Sequence, residues 1–247
     1  MHASVAHKMS IQVGLYGLSF YLWQNGKEIF LEIPYEAETA VALSGILDKI
    51  YTEQLKSLQI NQLVLFHHNA LNTLVPENWL DAGQAPDLLK FSVKLYPTDT
   101  IEIDSGLPSQ TANVYVPFEN VNNFFIEHYG EIEFYHSATP FLKYARKIHD
   151  PAQTEIFVRP MERDFQTVVF RKGELIFFNT FPMENTDDFL YYFFFVWEEL
   201  ELTPLRPGIH ILSSGTEHKV LEENLKTFHN PVYYNALAGK EILKFPV

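Results

Sequence analysis

DFQTVVFRKGELIFFNTFPMENTDDFLYYFFFVWEELELTPLRPGIHILSSG, residues Asp164–Gly215, decides how this chain is read. It repeats the plan of LSFYLWQNGKEIFLEIPYEAETAVALSGILDKIYTEQLKSLQINQLVLFHH, residues Leu18–His68. Each stretch reads as a hairpin, a helix and a further strand. A supersecondary plan written twice sets the architecture before any single element is assigned.

Placing Gly173 on Gly26 fixes an offset of 173 − 26 = 147 residues. Asn25-Gly26 is a strong hairpin turn, since both residues tolerate the positive φ of a primed turn, and Lys172-Gly173 is a weaker version of it. With no gap, Thr39 falls on Thr186, each an N-cap for the helix that follows. Leu43, Ile46, Leu47 and Ile50 recur at helical spacing, and their counterparts Leu190, Phe193, Phe194 and Trp197 are all apolar. Gln62–Phe66 then lands on Ile209–Ser213, both short β-like runs.

The second helix differs from the first in one respect. Phe189, Tyr192 and Val196 add an extra apolar stripe where the first copy has Ala42, Gly45 and Lys49. A helix apolar on every side is normally buried on every side. The expectation is therefore a cover for this stripe, supplied by the rest of the chain, by a homodimer or by another protein partner.

Composition excludes several function classes. The 247 residues are 47% hydrophobic and 20% charged, an ordinary globular balance for one large or two modest domains. Aromatics make up 15%, with 21 Phe, so the core must be bulky. A net charge of −13 argues against nucleic acid and against an anionic membrane surface as partners. Without cysteine there are no disulfides or thiols, and Met1–Lys8 lacks the apolar core of a secretion signal. The expectation is a cytoplasmic protein.

The halves divide at Asp150-Pro151, giving a first subdomain over 1–149 and a second over 150–247. Phe91–Phe118 has no counterpart in the second half and reads as an inserted β piece, with strands at KFSVKLY, TIEID and TANVYVPF. Met1–Met9 reads as a loose end and Val75–Leu80 as the start of a short helix, followed by the turn-rich Asp81–Pro86. Helices are also expected at Glu119–His128, Pro140–Ile148, His218–Phe228 and Ala236–Phe245.

Two α/β units, each an antiparallel hairpin feeding a helix and a parallel strand, resemble ribonuclease-H-like folds. In tandem, with a β piece inserted in the first, they resemble the actin-like ATPase superfamily of sugar kinases, heat-shock chaperones and actin. The opening SIQVGLYGLSFYLW and TLVPENWL (Thr73–Leu80) resemble in particular a bacterial family described only as a domain of unknown function. Pilus-assembly scaffolds with degenerate actin-like domains are similar at greater distance. The fold class implied is α/β, with two tandem ribonuclease-H-like subdomains.

The resemblance implies three nucleotide-gripping positions. The first phosphate loop of the superfamily carries an Asp that organises the metal–nucleotide complex. Here Gly14-Leu15-Tyr16-Gly17-Leu18-Ser19 has the glycines and no carboxylate, so it offers Mg²⁺ no acidic ligand. The second loop normally pairs Asp with glycines. Here Arg159-Pro160-Met161-Glu162-Arg163-Asp164 has no glycine, and Pro160 removes a backbone donor. The adenosine loop keeps a partial likeness at Ser213-Ser214-Gly215, a candidate cofactor-binding turn that reads more simply as an ordinary strand-to-helix turn with Ser and Thr as caps.

No other constellation carries chemistry. His67 and His68 are adjacent, so on a strand they face opposite ways, and no ligand spacing supports a metal site. Glu102 with Asp104, and Glu131 with Glu133, read as solvated acids on hairpin edges. No catalytic residue, metal or cofactor is assigned. The function this implies is a non-catalytic actin-like-fold binding or scaffold module. The alternatives are a divergent nucleotide-binding ATPase or kinase-like phosphotransferase, and a homo-oligomeric structural protein.

Overall fold

The structure is a computed structural model that describes residues 8–24, 26–58, 60–80 and 84–244. Asn25 of the first hairpin turn, most of the expected N-terminal loose end, Asp81–Gly83 and Phe245 lie outside the described residues. The chain falls into two compact units, 1–105 with 112–139, and 106–111 with 140–247.

In the first unit β1 (Lys8–Val13), β2 (Gly17–Gln24) and β3 (Lys27–Pro34) form an antiparallel meander. Helix α1 (Ala40–Ile50) follows, extended by one π-helical turn over Tyr51–Leu55. Strand β4 (Gln62–His67) then returns parallel to β1. The chain continues through β5 (Asn72–Pro76), α2 (Ala85–Lys90), β6 (Glu102–Leu107), β7 (Thr111–Tyr115), α3 (Glu119–Tyr129) and β8 (Glu133–His136). The main sheet has the order β3-β2-β1-β4-β8, and β5-β7-β6 make a small second sheet. Leu43, Leu47 and Ile50 of α1, with Val121, Phe124 and Phe125 of α3, bury one apolar core against the main sheet.

The second unit contains α4 (Ala138–Ile148) from Pro140 onward, β9 (Thr154–Pro160), β10 (Asp164–Arg171), β11 (Glu174–Pro182), α5 (Thr186–Glu199), β12 (Gly208–Leu212), α6 (Lys219–Lys226), β13 (Val232–Asn235) and α7 (Ala238–Lys244). Its sheet has the order β11-β10-β9-β12-β13. That is the first unit's order element for element, and α5 with α6 covers the sheet as α1 with α3 does.

The hairpins hold the 147-residue offset, since β2 begins at Gly17 and β10 at Asp164. Lys172 and Gly173 both have positive φ, the signature of the primed turn that the sequence predicts. Beyond the hairpin the offset changes. Thr39 caps α1 through its hydroxyl, but α5 is capped by Asn185, whose side-chain oxygen accepts from Asp187 N and Asp188 N. The correspondence is therefore 185 − 39 = 146 residues from the cap onward.

One residue on a helix is about 100° of rotation. The core stripe of α5 is thus Phe189, Phe193 and Val196, facing the sheet as Leu43, Leu47 and Ile50 do in α1. This corrects the expected partner surface. Phe189 is 0% and Val196 3% exposed, and Tyr192 stacks on Phe181 with ring centroids 5.0 Å apart. Of the covers considered for this stripe, the helix's own unit supplies it, so Phe189 and Val196 are not available to a partner.

Two further expectations fail. Phe91–Tyr96 is not a strand, because the amides of Ser92 and Val93 both bond back to the Leu89 carbonyl and prolong the turn that ends α2. The added β piece also begins earlier than Phe91, since β5 belongs to its sheet. At Thr73–Leu80 the chain forms the end of β5 and then a single 3₁₀ turn, Glu77–Trp79.

Candidate functional site

In an open α/β sheet, ligands bind beyond the carboxyl ends of the parallel strands. In the first unit these ends are Val13, His67 and His136, which lie in register across β1, β4 and β8.

The loop after β1 is tied to the segment beyond β3. Gly14 N donates to Gly17 O at 3.0 Å. The Gly14 carbonyl accepts the Tyr35 hydroxyl at 3.0 Å, and the Leu15 carbonyl accepts Ala37 N at 2.7 Å. Burial pushes the Tyr35 hydroxyl pKa up, so it stays a donor. His68 closes the loop from the other side, its ring and carbonyl each 3.3 Å from where a Cβ on Gly14 would stand. A side chain at 14 would press on the exit of the next strand, so the glycine lets the loop and that exit pack closely.

Behind this loop is a buried polar network that sequence reading missed. His67 Nδ1 accepts from Phe118 N at 3.3 Å, so the ring's proton sits on Nε2, which donates to Asn122 Oδ1 at 2.9 Å. His136 repeats the arrangement, with Nδ1 accepting from Ala138 N at 3.1 Å and Nε2 donating to the Asn69 carbonyl at 3.0 Å. Both rings are neutral donor–acceptor bridges. Desolvation holds His67 down to about 4 and His136 down to about 3.

Asp104 is a correction. Rather than a solvated edge acid, it is buried, accepting from His136 N at 2.8 Å and from the Thr139 hydroxyl. Tyr115 also bonds to it, and burial followed by this charge raises the tyrosine's pKa. His67 and His68 do not share a ligand, since His68 Nδ1 meets the Ser137 hydroxyl at 2.9 Å. Among the described residues no three His, Asp or Glu side chains are grouped to hold a metal.

In the second unit, residues 161–163 close the β9–β10 turn tightly, with Met161 N donating to Asp164 O at 2.8 Å. The predicted turn Ser213-Ser214-Gly215 does follow β12 and precede α6. Ser213 N bonds the Asn235 carbonyl and the Ser213 carbonyl accepts Gly239 N, both at 2.9 Å. The Ser213 hydroxyl lies 3.3 Å from Glu217 Oε1 and 3.2 Å from His218 Nδ1. Tyr234 donates to the Gly215 carbonyl at 2.8 Å. A Cβ added at Gly215 would run into the Glu217 carboxylate. The turn carries an acid against it, which disfavours an anionic ligand.

A second buried cluster lies at the opposite end of the second sheet. Glu155 takes His149 Nδ1 on one oxygen and His210 Nε2 on the other, each at 2.8 Å. His210 stacks between Phe157 and Tyr233. Separated by 55 residues, Glu155 and His210 gave no spacing signal in the sequence.

Two units with one shared strand order, hairpin first and parallel strands after, define a protein of the actin-like ATPase fold. The chain belongs to the family described as "Protein of unknown function (DUF3822)", which matches residues 1–232. It is similar to a Bacteroides thetaiotaomicron VPI-5482 protein of actin-like ATPase fold and unknown function, with 19% identity and a TM-score of 0.81. That match covers 97% of this chain and 96% of the other. It is also similar to a chain of the PilM–PilN type IV pilus biogenesis complex, 9% identical, TM-score 0.59, covering 92% and 88%. The ethanolamine utilization protein EutJ of Carboxydothermus hydrogenoformans is 9% identical, TM-score 0.53, covering 99% and 91%. No curated protein matches the sequence. At these identities the likeness shows the fold alone. No helix among the described residues is long and apolar enough to cross a membrane.

Proposed function

We propose that this chain is an actin-fold protein that has lost nucleotide hydrolysis and serves as a binding or scaffold module. The observation that carries this reading is the Gly14–Ser19 loop. It offers no carboxylate to a metal, its Gly14 amide is committed to Gly17, and its carbonyls are committed to Tyr35 and Ala37. Phosphate binding by backbone needs free, converging N–H groups, and the glycine-free Arg159–Asp164 supplies no second set. Glu217 beside Ser213 and Gly215 further opposes a polyphosphate.

The matching strand orders, caps and core stripes support descent of both units from one duplicated ancestor. The absence of cysteine fits a reducing, cytoplasmic setting. The likeness in fold to a chain of the PilM–PilN complex supports a protein-binding role.

Isothermal titration with ATP and Mg²⁺ is expected to give no binding heat, and a phosphate-release assay no turnover above blank. Micromolar binding or measurable turnover overturns the reading. If that binding is lost in Ser213→Ala or Gly215→Ala, the protein is instead a divergent phosphotransferase whose Ser213-Ser214-Gly215 turn contacts the nucleotide.

A further inference from the structure

We infer that the outer face of α5 is the docking surface for a basic amphipathic helix of a partner protein. Tyr191 and Phe195 are 69% and 51% exposed, one helical turn apart. Leu190 and Phe194 flank them, and Phe228, 65% exposed just beyond α6, meets the Phe194 ring edge-on at 5.1 Å. Together they line one open groove on the second unit. Leu190 and Phe194 also pack against the unit's core, but Tyr191 and Phe195 do not belong to it, since Phe189, Phe193 and Val196 bury the other side of the helix. A contiguous exposed aromatic patch marks an interaction site, and Tyr and Phe are favoured anchors of interfaces.

The groove's charge identifies the occupant. Asp187 and Glu198 line its two ends, on the same helical face as the aromatics between them. Asp187 suits the first turn of a helix. Glu198 and Glu199 do not suit the last, where carboxylates oppose the macrodipole and α5 has no basic residue. Among the described residues no cation pairs with Asp187 or Glu198. Both acids are left unpaired, Glu198 against the dipole as well, and they suit a partner carrying Lys or Arg at each end.

The groove's length identifies the partner's form. Glu198 lies 198 − 187 = 11 helical steps beyond Asp187, roughly 16 Å at 1.5 Å per residue. A helix of about three turns, apolar at i, i+3 or i+4, and i+7, spans that distance with a basic residue at each end. A second copy of this chain is a poor occupant. Pairing two α5 faces in either direction sets carboxylate against carboxylate, on a chain of net charge −13.

This inference rests on the binding-module reading and names its partner, yet it is tested apart from nucleotide. The probe is a fluorescein-labelled synthetic peptide of about four helical turns, with Leu and Phe on one face and Lys or Arg at both ends. Its anisotropy is titrated with the full chain, beside a scrambled peptide and one with Glu for every Lys and Arg. The basic peptide is expected to bind at least about tenfold tighter than either control, and to weaken with added salt. Tyr191→Ala with Phe195→Ala is expected to abolish that preference, with the far-ultraviolet circular dichroism unchanged. Asp187→Lys with Glu198→Lys is expected to transfer it to the acidic peptide. Equal binding of all three peptides overturns the inference, as does a dimer in sedimentation that Phe195→Glu dissociates. An ATP titration that gives binding while the peptide preference persists overturns only the nucleotide reading.

Discussion

His67 Nε2 and Asn122 Oδ1 lie 2.9 Å apart inside the first unit, and this pairing fixes the ring as the neutral Nε2–H tautomer. Protonating Nδ1 would turn an acceptor for Phe118 N into a second donor facing it. Burial away from water holds the folded pKa down to about 4, against 6.5 for a free imidazole, with the Asn122 hydrogen bond opposing it in part. Between those values the unfolded chain takes up a proton that the folded chain refuses. The stability contributed by the neutral ring is therefore whole above about pH 6.5 and is lost as pH falls toward 4. His136, held down to about 3, adds to the same loss. Urea unfolding is expected to show a lower midpoint at pH 5 than at pH 7. In His67→Gln, which has nothing to titrate there, the decline is shallower.

Asp104 supports a different expectation, because its partners are buried donors rather than charges. Replacing it with Ala strands the His136 amide and the hydroxyls of Thr139 and Tyr115. Unsatisfied buried donors cost about 1–3 kcal/mol each, so Asp104→Ala is expected to cost about 3 kcal/mol or more. Asp104→Asn, keeping one acceptor oxygen, falls between. Equal unfolding midpoints for wild type and Asp104→Ala would count against this role.

Close packing at the Ser213–Gly215 turn gives a third test. A Cβ on Gly239 would stand 2.9 Å from Ser214 Cβ and 3.1 Å from its Cα, and would overlap the hydroxyl oxygen. Gly239→Ala is expected to destabilise by about 1–3 kcal/mol through overpacking. Ser214→Gly in the same chain removes the side-chain obstruction and is expected to restore part of that loss, a coupling a double-mutant cycle reads directly. Gly215→Ala meets only the mobile end of Glu217 and is expected to cost less.

The architecture was legible where local chemistry has a phase. Gly26 and Gly173 fix their hairpin turns by positive φ, and the alternation around them sets each hairpin's register. Helix α5 carries no such phase, since apolar residues at every position from Phe189 to Trp197 fit any rotation. Only the cap, which sequence alignment placed one residue late, decides which stripe is core. KFSVKLY alternates like a strand, but nothing in the sequence says that no neighbouring strand accepts it. The buried network was illegible for a topological reason. Its members His67, Asp104 and His136 are brought together by β4, β6 and β8, and separations of more than thirty residues leave no local pattern.

The cap itself is the last test of how the two units correspond. Asn185 has extended backbone dihedrals and its side chain accepts from Asp187 N at 2.8 Å and Asp188 N at 3.0 Å, while Thr186 is already helical. An N-cap Asn replaced by Ala typically costs about 1 kcal/mol. Asn185→Ala is expected to lose about that much, and Thr186→Ala much less, by urea unfolding at neutral pH. In the first unit the cap is Thr39, bonded to Ala42 N at 3.3 Å, so Thr39→Ala is expected to behave like Asn185→Ala rather than like Thr186→Ala. Were Thr186→Ala the costlier change, the cap would sit one residue later. The offset would return to 147, and Phe189 and Val196 would lose their place as the counterparts of Leu43 and Ile50.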